Sequence, residues 1–155
     1  MTKSLQGILA PQDVHLDVPA NCKRSVLEHL AEMGAGAFGL RERELLQGLL
    51  AREQLGSTGL GHGIAIPHTR ADVDRLSGIA LRLRRPVEFD AIDNKPVDIA
   101  FLLLAPRDDS SSHLKALSRV ARTFKMPGVV ENFRRASNAE AGYLALVTDP
   151  EEQAA

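Results

Sequence analysis

The stretch VDIAFLLLA, Val97 to Ala105, is uninterruptedly apolar from Ile99 onward. A strand with one face in water alternates apolar and polar side chains, whereas a strand covered on both sides reads as a continuous apolar run. A sheet built around this segment needs helices on both faces. The flanking patterns supply them. From Asn21, a candidate N-cap, Val26, Leu27, Leu30 and Met33 recur at helical spacing until GAGAFG breaks the pattern. LRERELLQGLLAREQLG places Leu45, Leu46, Leu49 and Leu50 on one face of a second helix, with Gly56 where a helix end favours positive φ. RDDSSSHLKALSRVARTF predicts a third, with His113 in its first turn and Leu117, Val120 and Phe124 in register. Shorter helices are expected at Val129–Arg135 and Ala139–Leu146, and TDPEEQAA reads as a frayed tail.

Three further segments read as strands. DVHLDV, Asp13 to Val18, alternates as a half-buried strand does. SGIALRLRRPVEF sets Ile79, Leu81 and Leu83 against Ala80, Arg82 and Arg84, which predicts one solvated face, with Arg84 and Arg85 at a solvated strand edge. GIAIPH reads as a strand stopped by Pro67, because proline cannot donate to a ladder, so His68 is placed at a strand end.

With 155 residues, 44% hydrophobic and 25% charged, the chain has the size of one compact domain. Its formal charge of -1 provides no overall field for nucleic acid or anionic lipid, so a phosphate site has to be local. No apolar run approaches the ~20 residues that span a bilayer. MTKSLQGILAPQDV has no signal-peptide core, and a cytoplasmic location is expected. Cys22 stands alone, which excludes an internal disulfide or a cysteine-cluster metal site and suggests a small packing residue.

The chemistry concentrates in GSTGLGHGIAIPHTR, Gly56 to Arg70. Its glycines do not fall in a dinucleotide-binding phase, their order is helix, glycines, strand, and no Lys follows them as a nucleotide P-loop requires. Repeated glycine does let backbone amides turn toward an anion, which makes Gly61, His62 and Gly63 candidate phosphate contacts. A neutral imidazole at His68 offers a lone pair for attack on phosphorus, giving a phosphohistidine. Such a transfer needs donors on the phosphoryl oxygens. Arg52 can fork to two of them, His113 can donate from its ring, and Ser57 and Thr58 add hydroxyls.

REQLGSTGLGHGIAIPHTR, followed by His113 in SSSHLKALSRVA, resembles the enzyme IIA domain of the bacterial phosphoenolpyruvate-dependent phosphotransferase system, in its mannitol and fructose superfamily. The loop and the free-standing domain look most like the nitrogen-regulatory branch. The resemblance implies an α+β fold, a three-layer α/β/α sandwich on a mixed sheet, as a single domain over residues 1–148 with a flexible tail at 149–155. It implies a phosphoryl carrier rather than a multiple-turnover small-molecule enzyme, with no cofactor. His68 would be phosphorylated by an HPr-like phosphocarrier, flanked by Arg52 and His113, and the charge state would be read by regulated transporters or sensor kinases. No nucleic acid and no membrane insertion are implied. His62 departs from the pattern, since Asn or Glu is common there, and it places a second titratable ring in the loop.

Two alternatives stand beside this reading. A sugar-specific fructose or mannitol IIA component would pass the phosphate to a IIB domain. More distantly, His62, His68 and His113 could hold zinc for a hydrolase, although their spacing matches no H-E-x-x-H signature. His15 and His29 have no motif around them and read as structural or surface residues. A docking donor would need an apolar rim near the loop, for which Leu60 is a candidate.

Overall fold

The structure is a computed structural model that describes residues 5–109 and 111–148; the tail at 149–155 lies outside the described residues. The chain runs β1 (Leu9–Val18), α1 (Lys23–Phe38), α2 (Glu42–Gln54), β2 (Gly59–Gly61), β3 (Ile64–Ala65), β4 (His68–Ala71), β5 (Ser77–Val87), β6 (Val97–Pro106), α3 (Ser112–Lys125), α4 (Val129–Arg135) and α5 (Ala139–Val147). The strands form one mixed sheet in the order β1-β5-β6-β3-β2, with β4 also paired to β6. β5 is parallel to β1 and antiparallel to β6, whereas β3 and β4 run parallel to β6.

The unbroken apolar run becomes β6, and its two faces feed two cores. Ala100, Leu102 and Leu104 pack with Ile79, Leu81 and Leu83 against Val26, Leu27 and Leu30 of α1 and Leu45 and Leu49 of α2. Ile99, Phe101 and Leu103 pack the other way, with Ala80, against Ala116, Val120 and Phe124 of α3, Phe133 of α4 and Leu146 of α5. The period of two in a strand sends alternate side chains to opposite faces, so one segment holds both helix layers. The α/β/α sandwich expected from the resemblance is the observed architecture.

Several local expectations are corrected. GAGAFG does not end α1, which continues to Phe38 and closes at Gly39, φ 68. Gly34 is there because a Cβ would come within 2.7 Å of Leu45 Cδ2, so the glycine admits α2 rather than breaking α1. The N-cap is Cys22 rather than Asn21, and Cys22 is exposed, not packed. β5 has no solvated face along Ile79–Leu83, because Ala80 packs in the core with α3, α4 and α5 and Arg82 reaches the end of α4. Arg82 donates to the carbonyls of Phe133, Arg134 and Ala136 at 2.8–3.1 Å and caps the C-terminal end of α4. Arg84 and Arg85 are exposed, but β5 lies between two strands and is not an edge.

The strand before His68 does not stop at Pro67 either. Ile64 pairs with Ile99 and Ala65 with Ala100; after the break, His68 pairs with Leu103 and Ala71 with Pro106, in the same register. Pro67 cannot donate, yet its carbonyl accepts the Leu103 N–H at 3.0 Å, so the ladder resumes without a slip. His68 therefore opens a strand rather than closing one.

A substitution next to β6 tests how tightly this sheet is packed. A Cβ on Gly78 would lie 2.5 Å from Phe101 Cζ and 2.8 Å from Cε1. Phe101 is fully buried and meets Phe124 edge to face, so neither ring has room to withdraw. Gly78→Ala is expected to destabilise the fold by about 1–3 kcal/mol in urea unfolding.

Candidate functional site

Three elements converge on His68. β4 carries the histidine, the last turn of α2 carries Arg52 and the first turn of α3 carries His113; together with Leu55, Arg70 and Leu103 they line an open cleft of about 430 Å³. The His68 ring is fixed at both nitrogens. Nδ1 lies 2.8 Å from the Ile66 carbonyl and Nε2 lies 3.1 Å from Arg52 Nε. A guanidinium has donors and no acceptor, so Nε2 accepts, and the neutral ring donates its Nδ1–H to Ile66. The lone pair faces the cleft and Arg52. Arg52 is itself steadied by donating from Nη1 to the Gly56 carbonyl at 2.8 Å.

Burial pushes His68 below the ordinary imidazole value of 6.5; the hydrogen bond to Ile66 opposes it, Arg52 adds to it, Glu53 opposes it and His113 adds to it. The net effect favours the neutral ring. The same shift affects stability. Between the folded value and 6.5 the unfolded chain binds the extra proton, so this contribution is complete above 6.5 and is lost as pH falls toward the folded value. The urea midpoint should drop between pH 7 and pH 5.5 by more in the wild type than in His68→Ala, and equal drops would remove His68 as the cause.

Glu53 organises the loop behind Arg52. It accepts from Lys23 Nζ at 2.8 Å, from the Thr58 backbone N–H at 3.1 Å and from the Thr58 hydroxyl. Ser57 Oγ donates to the Phe89 carbonyl at 2.7 Å and accepts from the Gly59 N–H. Both hydroxyls are thus engaged in building the loop, and neither residue lines the His68 cleft. Gly61, His62 and Gly63 form a left-handed run with φ of 96, 58 and 84. At Gly63 a Cβ would sit 2.5 Å from Arg134 NH2 and 2.7 Å from Asp98 Oδ1. The His62 N–H donates to Asp93 and its carbonyl accepts from Arg134, and its side chain lines a separate cleft with Phe124, Met126 and Arg134. His62 therefore does not meet His68 and His113. Among the described residues no group of three His, Cys, Asp or Glu is placed to hold a metal ion, and the zinc triad weighed from sequence is not assembled.

Residues that sequence reasoning did not single out complete the surroundings. Arg70, on the same face of β4 as His68, reaches His113, and the Glu53–Lys23 pair anchors the loop. The alternation of a strand beginning at His68 would have marked Arg70, but Pro67 hid that strand. Apolar side chains are also exposed: Leu55, which lines the cleft, is 84% exposed, Leu114, next to His113, is 60% exposed, and Leu60 of β2 and Ile92 are exposed as well.

The chain and its α/β/α sandwich match a known class. The family model for the phosphoenolpyruvate-dependent sugar phosphotransferase system, EIIA 2, matches residues 7–146, and the chain belongs to that family. Within it the similarity is to nitrogen regulatory proteins. That of Bradyrhizobium diazoefficiens is 37% identical over 147 residues, covering 94% of this chain and 96% of its own. The crystal structure of nitrogen regulatory protein IIA-Ntr from Neisseria meningitidis matches with a TM-score of 0.83 at 37% identity, over 90% of this chain and 96% of that one. A complex of enzyme IIAMTL and phosphorylated enzyme IIBMTL from Escherichia coli matches in fold alone, with a TM-score of 0.76 at 18% identity over 92% of this chain and 100% of that one. No helix among the described residues is long and apolar enough to cross a membrane.

Proposed function

We propose that the protein is a phosphoryl carrier and regulator of the nitrogen-related phosphotransferase system, accepting phosphate on His68 from an HPr-like phosphocarrier. The observation that supports this reading is the fixed His68 ring, with Nδ1–H bound to Ile66 and the Nε2 lone pair turned to Arg52. In the transfer, Nε2 attacks the phosphorus of a phosphohistidine on the donor. The new N–P bond forms as the donor's P–N bond breaks, and the donor imidazole takes back the electron pair. Arg52 leaves Nε2 as that lone pair is used and forks to the phosphoryl oxygens, so its interaction strengthens along the reaction. The Ile66 carbonyl holds the Nδ1 proton as the ring becomes positive. His113, across the cleft, donates to a phosphoryl oxygen.

Exposed Leu55 in the cleft, and exposed Leu114 next to His113, offer apolar surface for a docking protein to cover. Phosphorylation adds roughly -1.5 to -2 charge at the cleft, and partner proteins such as transporters or sensor kinases read that change. The test is intact mass after incubation with phosphoenolpyruvate, a bacterial enzyme I and an HPr-like carrier. A single acid-labile phosphoryl adduct is expected, and absence of an adduct with every carrier tried would overturn the proposal. Onward transfer to a IIB domain would instead assign the chain to sugar transport.

A further inference from the structure

The geometry points to Arg70 as the positioning residue that sets which ring nitrogen His113 offers to the cleft. Arg70 Nη2 lies 3.4 Å from His113 Nδ1, the one hydrogen bond of that ring among the described residues. Because a guanidinium only donates, Nδ1 has to accept. The neutral His113 ring then carries its proton on Nε2. Nδ1 is occupied by Arg70, so Nε2–H is the donor left for a group bound beside His68.

The clamp extends beyond this one contact. Arg70 Nη1 donates to the carbonyls of Arg107, at 3.1 Å, and Asp109. Asp109 in turn takes the backbone N–H groups of Ser111 and Ser112 at 3.1 and 2.9 Å, and so caps the start of α3. One side chain on β4 thus ties together the strand that carries His68, the segment that leads into α3, and the ring on the first turn of that helix. Its planar fork can reach carbonyl and ring at once, which a point-charge ammonium cannot do. His68 and His113 consequently hold opposite tautomers, each set by an arginine: Arg52 leaves His68 with Nδ1–H, and Arg70 leaves His113 with Nε2–H.

The consequence for transfer rests on the carrier reading above, but the tautomer does not. Long-range 1H–15N spectra of the 15N-labelled protein at about pH 8, where a free imidazole is neutral, report which nitrogen of each ring is protonated. His113 is expected as the Nε2–H form in the wild type and as a mixture in Arg70→Met, which keeps the apolar stem and removes the donors. The Nδ1–H pattern of His68 should be unchanged, showing that β4 is intact. Phosphoryl transfer should slow about tenfold in Arg70→Met, and Arg70→Met should add nothing in a His113→Ala background. A wild-type His113 protonated on Nδ1, an unchanged tautomer in Arg70→Met, or additive losses in the double variant would each overturn the inference. The wild-type spectrum decides the tautomer even if Arg70→Met does not fold. If no carrier labels the wild type, the phosphoryl reading fails while the tautomer is still decided.

Discussion

His68→Ala is expected to carry no acid-labile phosphoryl adduct under conditions that label the wild type completely. The only imidazole with its lone pair set against Arg52 is then gone, and His113, whose Nδ1 is occupied by Arg70, cannot substitute for it from across the cleft. The fold should survive. The lost ring forfeits its hydrogen bonds to the Ile66 carbonyl and from Arg52, about 1 kcal/mol each, at a site only partly buried. Intact mass and a urea curve on the same preparation separate the two effects. Label persisting on His68→Ala would move the acceptor elsewhere.

The second large effect is expected at Arg52. Arg52→Ala removes the donor at Nε2 that, in the proposed transfer, passes to the phosphoryl oxygens, and loss of one such donor typically slows a transfer by about 10²–10³-fold. It should also move the pH profile. Arg52 is one of the groups that depress His68, so its removal lets the ring take a proton at higher pH. The acidic limb of the rate profile should shift upward toward the ordinary value of 6.5, though only in part, because burial, the larger cause, remains. Arg52→Lys should recover charge but not the fork, and so only part of the rate. An unchanged rate and profile in Arg52→Ala would remove the arginine from the mechanism.

The parts of this molecule that were legible beforehand are those whose cause is local. The apolar run of β6 declared a sheet covered on both faces because alternation within one strand reports both sides at once. His68, Arg52 and His113 were found together because their motifs are recognisable, and the fold brings the three to one cleft. What was not legible depends on partners distant in the chain. GAGAFG looks like a helix breaker until Leu45 is seen against Gly34. Arg82 looks solvated until the carbonyls at the end of α4 arrive to receive it. Pro67 looks like a terminus until β6 donates to its carbonyl, and with that strand hidden Arg70 had no face to share with His68. The hydroxyls of Ser57 and Thr58 could not be sorted from sequence into loop-building or ligand-facing, since their partners Phe89 and Glu53 are visible only in three dimensions.

The uninterrupted register of β3 and β4 on β6 also limits how far news of phosphorylation can travel. His68 is mounted on β4, paired in register to the strand that holds both cores and not on a mobile loop, so a phosphoryl group there would alter charge without a hinge to convert it into movement. Charge alone fades over roughly 8 Å at physiological ionic strength. A listener would have to sit over the cleft itself, on the ground the donor occupies. Delivery and readout would then take turns at one doorway, and the abundance of listeners for the unphosphorylated state would set how fast the protein can be recharged.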